Sequence, residues 1–444
     1  MNFVLKNSNM FLSLIALLIF FVSYILVIFE EYFSIKKFKP VILAAGLIWL
    51  IIGIICYNNE SNIFIMKNAI NNYFYNYINL FLFLLVSMVY INILKKRDFF
   101  LNINKWIFIK KINSKQLFLF TGFLSFLISP IADNLTTALL ISSIIVSVDE
   151  NNKKFINLCC INIVIASNAG GAFSPFGDIT TLMVWQSEIV HFTSFFKIFI
   201  PSFISFIIPS IVIYFFIEKK YFYMNNDYPI KKIGNKRIVF LFILTIIIAI
   251  IFEHFLFLPA SIGMMTGFGF LCFFGYYINF KEKHIIKNNI YISFDIIKYI
   301  ETIEWDTLLF FYGIIMSIGG LATLGYLNNL SFILYKNFLY NINYDYNITF
   351  ANVLIGILSA FIDNIPVMFS IIIINPNMSE YQWLLITLTT GIGGSILSIG
   401  SAAGIALMGQ NKKIYTFISH LKWSWIIIVG YLVGIAFHIL INKY

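Results

Sequence analysis

Residues 129–140 read SPIADNLTTALL, and residues 359–369 read SAFIDNIPVMF. Each stretch sets an Asp-Asn pair, Asp133-Asn134 or Asp363-Asn364, inside a long apolar run. A charged side chain at the centre of a membrane segment costs about 2.5–3.5 kcal/mol on insertion scales, and is a mark of function by default. Pro130 and Pro366 flank the pairs and suit a break in the chain. Ser129 and Ser359 stand four residues before their Asp, one turn back if the segment is helical.

Working outward, each pair is followed by a second interrupted apolar stretch. These are SNAGGAFSPFGDITTLMVW (167–185) and GIGGSILSIGSAAGIALMG (391–409). The expected breaks run from Asn168 to Asp178, and over 391–395 and 398–401. Nine of the 24 glycines fall in the windows 170–177 and 391–409. Glycine permits positive φ and close backbone approach, so unwound backbone lining an ion path is expected there. Irregular backbone survives at membrane depth only when buried in protein or lining a cavity. The order, a hairpin and then a broken helix, occurs twice. Entered from opposite faces, it is an inverted repeat, the sequence pointer to a secondary transporter with a site near the midplane.

Composition agrees. The chain has 444 residues, 60% hydrophobic and only 11% charged, against about 25% charged in ordinary globular domains. Soluble enzymes, nucleic-acid binders and disordered proteins are excluded, despite a net charge of +10. The expected fold is an all-α polytopic membrane protein. Clean spans, each about 20 apolar residues long, are expected at 10–29, 40–57, 75–94, 195–217, 238–253, 258–279, 307–325 and 422–441. The first reads as a retained transmembrane helix, because no A-x-A cleavage site follows it. The four cysteines form no C-x-x-C and read as small core residues.

The basic residues set the orientation. With the N-terminus outside, and with 117–148 and 349–374 as re-entrant hairpins from opposite faces, 25 of the 30 basic residues fall on the cytoplasmic side. Lys6, Lys67, Lys197, Lys336 and Lys443 then lie outside, as do both termini. The domain reading is N-terminal scaffold helices (1–94), a first repeat (95–217, broken helix 155–191), a basic loop with linking helices (218–306) and a second repeat (307–444, broken helix 381–420).

Of 20 acidic residues, three are expected inside: Asp133, Asp178 and Asp363, with no Lys or Arg in the predicted core to neutralise them. Carboxylate, amide and hydroxyl oxygens are hard ligands for small cations. Burial disfavours an ionised carboxylate while a bound Na⁺ favours it, so proton and Na⁺ compete for one group. Competition with alternating access gives exchange, and no G-x-x-x-x-G-K-[ST] nucleotide motif is present. Asn134 and Asn364 orient the neighbouring acids and offer neutral oxygens. Thr136, Thr137, Thr180 and Thr181 supply hydroxyls, as do Ser129, Ser359, Ser398 and Ser401. The expected Na⁺ ligands are Asp133, Asn134, Asp363 and Asn364. No cofactor is expected, and Na⁺ and H⁺ are cargo. The chain reads as a carrier rather than an enzyme.

On these residues the chain resembles the NhaD-type sodium/proton antiporters of the ion-transporter superfamily. The four quoted stretches and EWDTLLFFYGIIMSIGGL (304–321) carry the resemblance, while the first 90 residues match only in hydropathy. It implies a homodimer in the bacterial inner membrane, with an elevator-like movement of the hairpin-and-broken-helix core. It also implies Na⁺ or Li⁺ exchange for H⁺ in pH homeostasis. The cation path would use Asp133, Asn134, Asn168, Asp178, Thr180, Thr181, Asp363, Asn364, Ser398 and Ser401. No histidine falls in a matching stretch, and the histidines read as interfacial.

Three other readings compete. A passive cation channel would use the same oxygen ligands, but two hairpins from opposite faces fit alternating access better. An anion carrier of the same superfamily, for dicarboxylate or arsenite, would have neutral hairpin tips and a basic residue near its cargo. An intramembrane aspartyl protease needs G-x-G-D, where this chain has Pro175-Phe176-Gly177-Asp178.

Overall fold

A computed structural model describes residues 4–5, 10–28, 30–33, 35–57, 59–97, 112–148, 152–221, 235–285, 294–336, 344–411 and 414–443. Among them the architecture is all-helical, with one isolated bridge between Asn113 and Tyr221. Among the described residues, ten helices are long and apolar enough to cross a membrane, in keeping with the composition. Lys105, Lys110, Lys111, Lys412 and Lys413, which weigh in the charge-based orientation, lie outside the described residues. So do residues 222–234 and 286–293.

The chain forms two compact units, 1–77 with 113–221 and 309–444, and 78–112 with 222–308. In the first, α1 (Met10–Ile28) packs on α2 (Phe38–Cys56) through Ala16, Ala44, Ile48 and Ile52. Helix α3 (Glu60–Lys96) is far longer than the 75–94 expected from hydropathy, because its asparagine-rich start contains no Gly or Pro to stop it.

The first Asp-Asn pair joins α4 (Ser114–Ala132) to α5 (Asn134–Val148). Both pack on α6 (Lys153–Ala172), which is followed by α7 (Ile179–Gln186) and α8 (Phe199–Phe215). Nearly all residues of α6 are buried, against about a fifth of those in α1, so α6 presents almost no face to lipid. Local signals fix the starts. Asn113 closes a capping box with Gln116, and Asn152 caps α6.

The second unit comprises residues 78–96 of α3, α9 (Asn235–Leu256), α10 (Ala260–Ile285) and the residues leading to Leu308. The Tyr90 hydroxyl lies 2.9 Å from Thr245 Oγ1 and donates to Gly267 O at 3.0 Å, tying the three helices together. Arg97, expected in a cytoplasmic loop, is buried, with its guanidinium 5.5 Å from the Phe294 ring centroid. Cys272 is exposed, unlike the other three cysteines.

The second half of the first unit begins with α11 (Trp305–Thr323). Next come α12 (Tyr344–Leu358) and α13 (Asn364–Ile374), separated by the second Asp-Asn tip. Helices α14 (Glu380–Gly393) and α15 (Ala402–Gln410) follow, then α16 (Phe417–Leu421) and α17 (Ser424–Asn442). The halves interlock, since α13 packs on α7 and α5 packs on α15.

Three expectations about the breaks need correction. Helix α4 runs through Pro130 to Ala132 and ends at Asp133, with φ 54°. Proline leaves the carbonyl four residues back without its helical donor, and Gly170 packs directly on that carbonyl, Phe126 O. Helix α6 likewise continues through Asn168, Gly170 and Gly171, so its irregular segment is only 173–178. The second irregular segment is 394–401. Among the described glycines only Gly325 has positive φ. The glycine clusters therefore serve close approach rather than left-handed backbone. A Cβ on Gly171 would lie 2.5 Å from Gly177 O, and one on Gly394 2.7 Å from Gly400 O.

Candidate cation site

The two short helices after the breaks begin in the same way. Asp178 (φ −146°, ψ 150°) caps α7, and Ser401 (φ −140°, ψ 149°) caps α15. Asp178 Oδ1 accepts from Thr180 N at 3.3 Å, and Ser401 Oγ accepts from Gly404 N at 3.3 Å. Thr181 Oγ1 lies 2.6 Å from Asp178 O and 2.8 Å from Ser174 O, closing the turn of the first break. A carboxylate suits a helix N-terminus, where free N–H groups and the helix dipole favour negative charge.

The tip residues reach these breaks. Asn364 Nδ2 donates to Asp178 Oδ2 at 2.8 Å. Asn134 Nδ2 donates to Asn168 Oδ1 at 3.0 Å, and Asn168 Nδ2 donates onward to Ser401 Oγ at 3.0 Å. Each tip amide thus reaches a residue of the first broken helix, and Asn168 carries the link to the second. Asp133 is held by its own helix, accepting from Thr136 N and Thr136 Oγ1, both at 2.8 Å. Ser129 and Ser359 brace the tips in matching ways. Ser129 Oγ donates to Ser167 O at 2.6 Å, and Ser359 Oγ to Thr390 O at 2.9 Å.

Asp133, Asp178 and Asp363 are the only buried acids among the described residues, as expected from the apolar runs around them. Three buried oxygens here have no hydrogen-bond partner: Asp363 Oδ1, Thr180 Oγ1 and Thr137 Oγ1. Buried polar atoms are normally paired, so unpaired oxygens beside carboxylates are candidate ligands for a cation. No cluster of three or more His, Cys, Asp or Glu side chains suited to a metal occurs among the described residues. A site for a hard monovalent ion here would therefore draw on amide, hydroxyl and carboxylate oxygens. Ser398 Oγ donates to Met408 Sδ at 3.3 Å, and Met408 lines a cavity that reaches Asp363.

The expectation that no basic residue neutralises these acids fails at Asp363. Lys37 Nζ lies 4.0 Å from Asp363 Oδ2. In the sequence, Lys37 sits in the run Lys36-Lys37-Phe38-Lys39 and looks like any interfacial lysine, so no local signal marks it. Tyr24 and Glu30 join it around a cavity of about 420 Å³ that reaches Asp363. His420 and His438, expected at the interface, are both buried. His420 Nε2 is 2.9 Å from Ser395 O and its Nδ1 is 2.7 Å from the Tyr415 hydroxyl, so it braces the second irregular segment.

Comparison with known proteins places this geometry in a family. The family model described as "Citrate transporter" matches residues 24–391. The Na(+)/H(+) antiporter NhaD of Alkalimonas amylolytica is 46% identical, over 99% of this chain and 92% of that protein. NhaD of Vibrio cholerae is 47% identical, over 96% of this chain and 91% of its own length. NhaD of Halomonas elongata is 45% identical, over 96% and 88%. A chain aligned nearly end to end with these proteins, and carrying two Asp-Asn tips whose amides bond to the first broken helix, belongs to the NhaD family of sodium/proton antiporters.

Proposed function

We propose that this protein exchanges Na⁺, with Li⁺ as a second cargo, for H⁺ across the membrane by competition at buried carboxylates. The observation that carries the reading is the Asp178–Asn364 contact. It puts a buried carboxylate of one broken helix against the opposite tip, beside the unpaired oxygens Asp363 Oδ1 and Thr180 Oγ1. Na⁺ bound among these oxygens stabilises the ionised acids, while protonation removes the charge that holds it. Asp133, Asn134, Asn168, Thr181 and Ser401 complete the path in this reading, with Thr136, Thr137, Ser129, Ser359 and Ser398 in support.

Two halves related as inverted repeats, moving elevator-fashion within a homodimer, supply alternating access in the same proposal. The matching Ser129 and Ser359 braces, the matching caps and the interlocked short helices support the repeat. The inner membrane, with both termini outside, is the proposed setting.

The family description "Citrate transporter" and the presence of Lys37 favour one rival, an anion carrier. Lys37, however, faces a carboxylate, and three buried acids would repel an anionic cargo. In everted vesicles with an imposed ΔpH, Na⁺ should dissipate the gradient and citrate should not. Absence of any Na⁺ response between about pH 6 and 9.5 would refute exchange, since carboxylate-based competition should appear somewhere in that range.

A further inference from the structure

Lys37 is the N-cap residue of α2. A helix N-terminus carries roughly half a positive charge, so its own helix offers an ammonium nothing there. Its side chain is nevertheless only 13% exposed. The Nζ sits 4.6 Å from the Phe310 ring centroid and 4.0 Å from Asp363 Oδ2. At that distance the ammonium is an electrostatic neighbour of the carboxylate rather than its hydrogen-bond donor. Asp363 Oδ1 stays buried without a partner. Glu30 fixes the backbone beneath, its Oε1 accepting from Lys37 N at 3.2 Å.

The cavity that reaches Asp363 is lined by Tyr24, Glu30, Lys37, Phe361, Asp363 and Met408, among others. Its roughly 420 Å³ exceeds the space of a single water, about 30 Å³ in the liquid, so a hydrated cation and the lysine head fit together. The lysine head is a compact point charge on a flexible four-carbon stem. It already sits over Phe310, and rotation about the stem bonds can bring it onto the carboxylate without moving the backbone.

We propose that Lys37 is a tethered competitor for Na⁺ at Asp363. Its ammonium balances the ionised carboxylate in the interval after Na⁺ leaves and before H⁺ arrives, and an incoming Na⁺ must displace it. The inference rests on the Na⁺/H⁺ exchange reading above. Its consequence is a weaker Na⁺ site than the same oxygens would make alone. A buried carboxylate left with no counter-charge is costly, and Lys37 removes that cost from the step in which Na⁺ departs.

The test is the half-saturating Na⁺ concentration of the full-length protein in proteoliposomes, at fixed pH and fixed ΔpH. Lys37→Gln should lower it about tenfold, the scale of a partly buried charge pair. Lys37→Arg, which keeps the charge, should stay within about threefold of the wild type. Lys37→Met keeps the stem over Phe310 and gives the same readout if the glutamine variant fails to insert. A half-saturating concentration unchanged or raised in the neutral variants overturns the proposal, because a merely structural lysine would lower turnover without tightening Na⁺. A wild type with no Na⁺ response would sink the exchange reading itself, and this inference with it.

Discussion

Asn364 and Asp178 are 186 residues apart in the chain, and the amide of one donates to the carboxylate of the other at 2.8 Å. The second tip is thereby fastened to the first broken helix at the atom that a cation would use. Removing the amide leaves Asp178 Oδ2 buried without this donor, a loss of about 1–3 kcal/mol. Asn364→Ala should accordingly raise the half-saturating Na⁺ concentration by roughly tenfold or more. A value within twofold of the wild type in a folded protein would remove Asn364 from the site.

The Asn134–Asn168–Ser401 relay predicts coupling rather than independent effects. Asn168→Ala and Ser401→Ala should each slow Na⁺-driven proton release from vesicles. The double variant should be little worse than the more damaging single one, with an interaction energy of about 0.5–3 kcal/mol. Fully additive losses would mean that the two residues act separately.

Glycine substitutions separate packing from flexibility. Gly171→Ala and Gly394→Ala drive a methyl group into a carbonyl oxygen, Gly177 O and Gly400 O respectively. Nothing lies within 4 Å of a Cβ placed on Gly53, so Gly53→Ala serves as the control. Size-exclusion chromatography should show a sharp loss of monodisperse protein for the first two. The control should be neutral to slightly stabilising, as alanine is the better helix former by about 1 kcal/mol.

A surface ion pair gives a pH prediction. Lys197 Nζ lies 2.9 Å from Glu380 Oε1, and both side chains are largely exposed. Ser194 and then Lys197 hold the Glu380 carboxyl below its ordinary value of 4.5. A depressed folded value stabilises the protein above the unfolded value, and the contribution is lost as pH falls through the folded one. Glu380→Gln should therefore lower the melting temperature slightly at pH 7, with the difference closing as pH drops below 4.5. A gap that widens in acid would reverse the sign of the argument.

Much of this arrangement was legible in the sequence. Asp133, Asp178 and Asp363 stood out because carboxylates are rare in apolar runs, and the repeated Asp-Asn order marked both tips. Lys37 was not legible, because its burial depends on α1, α2 and the second tip meeting around one cavity. The roles of Pro130 and Gly170 were misread for a related reason. Each looks like a helix breaker alone, but after folding Gly170 packs on Phe126 O, the carbonyl 44 residues back that Pro130 leaves without its helical donor. His420 reads as interfacial because it falls in none of the matching stretches, whereas its ring is braced between Ser395 and Tyr415.

The central claim is that Na⁺ and H⁺ contend for the same buried carboxylates. The most direct measurement is proton release when Na⁺ is added to purified protein in weakly buffered solution. The account predicts release that saturates with Na⁺, is absent with choline, and is lost in Asp178→Asn and Asp363→Asn variants that remain folded. Saturable Na⁺ binding with no proton release at any pH between about 6 and 9.5 would contradict it, because binding and protonation would then be independent.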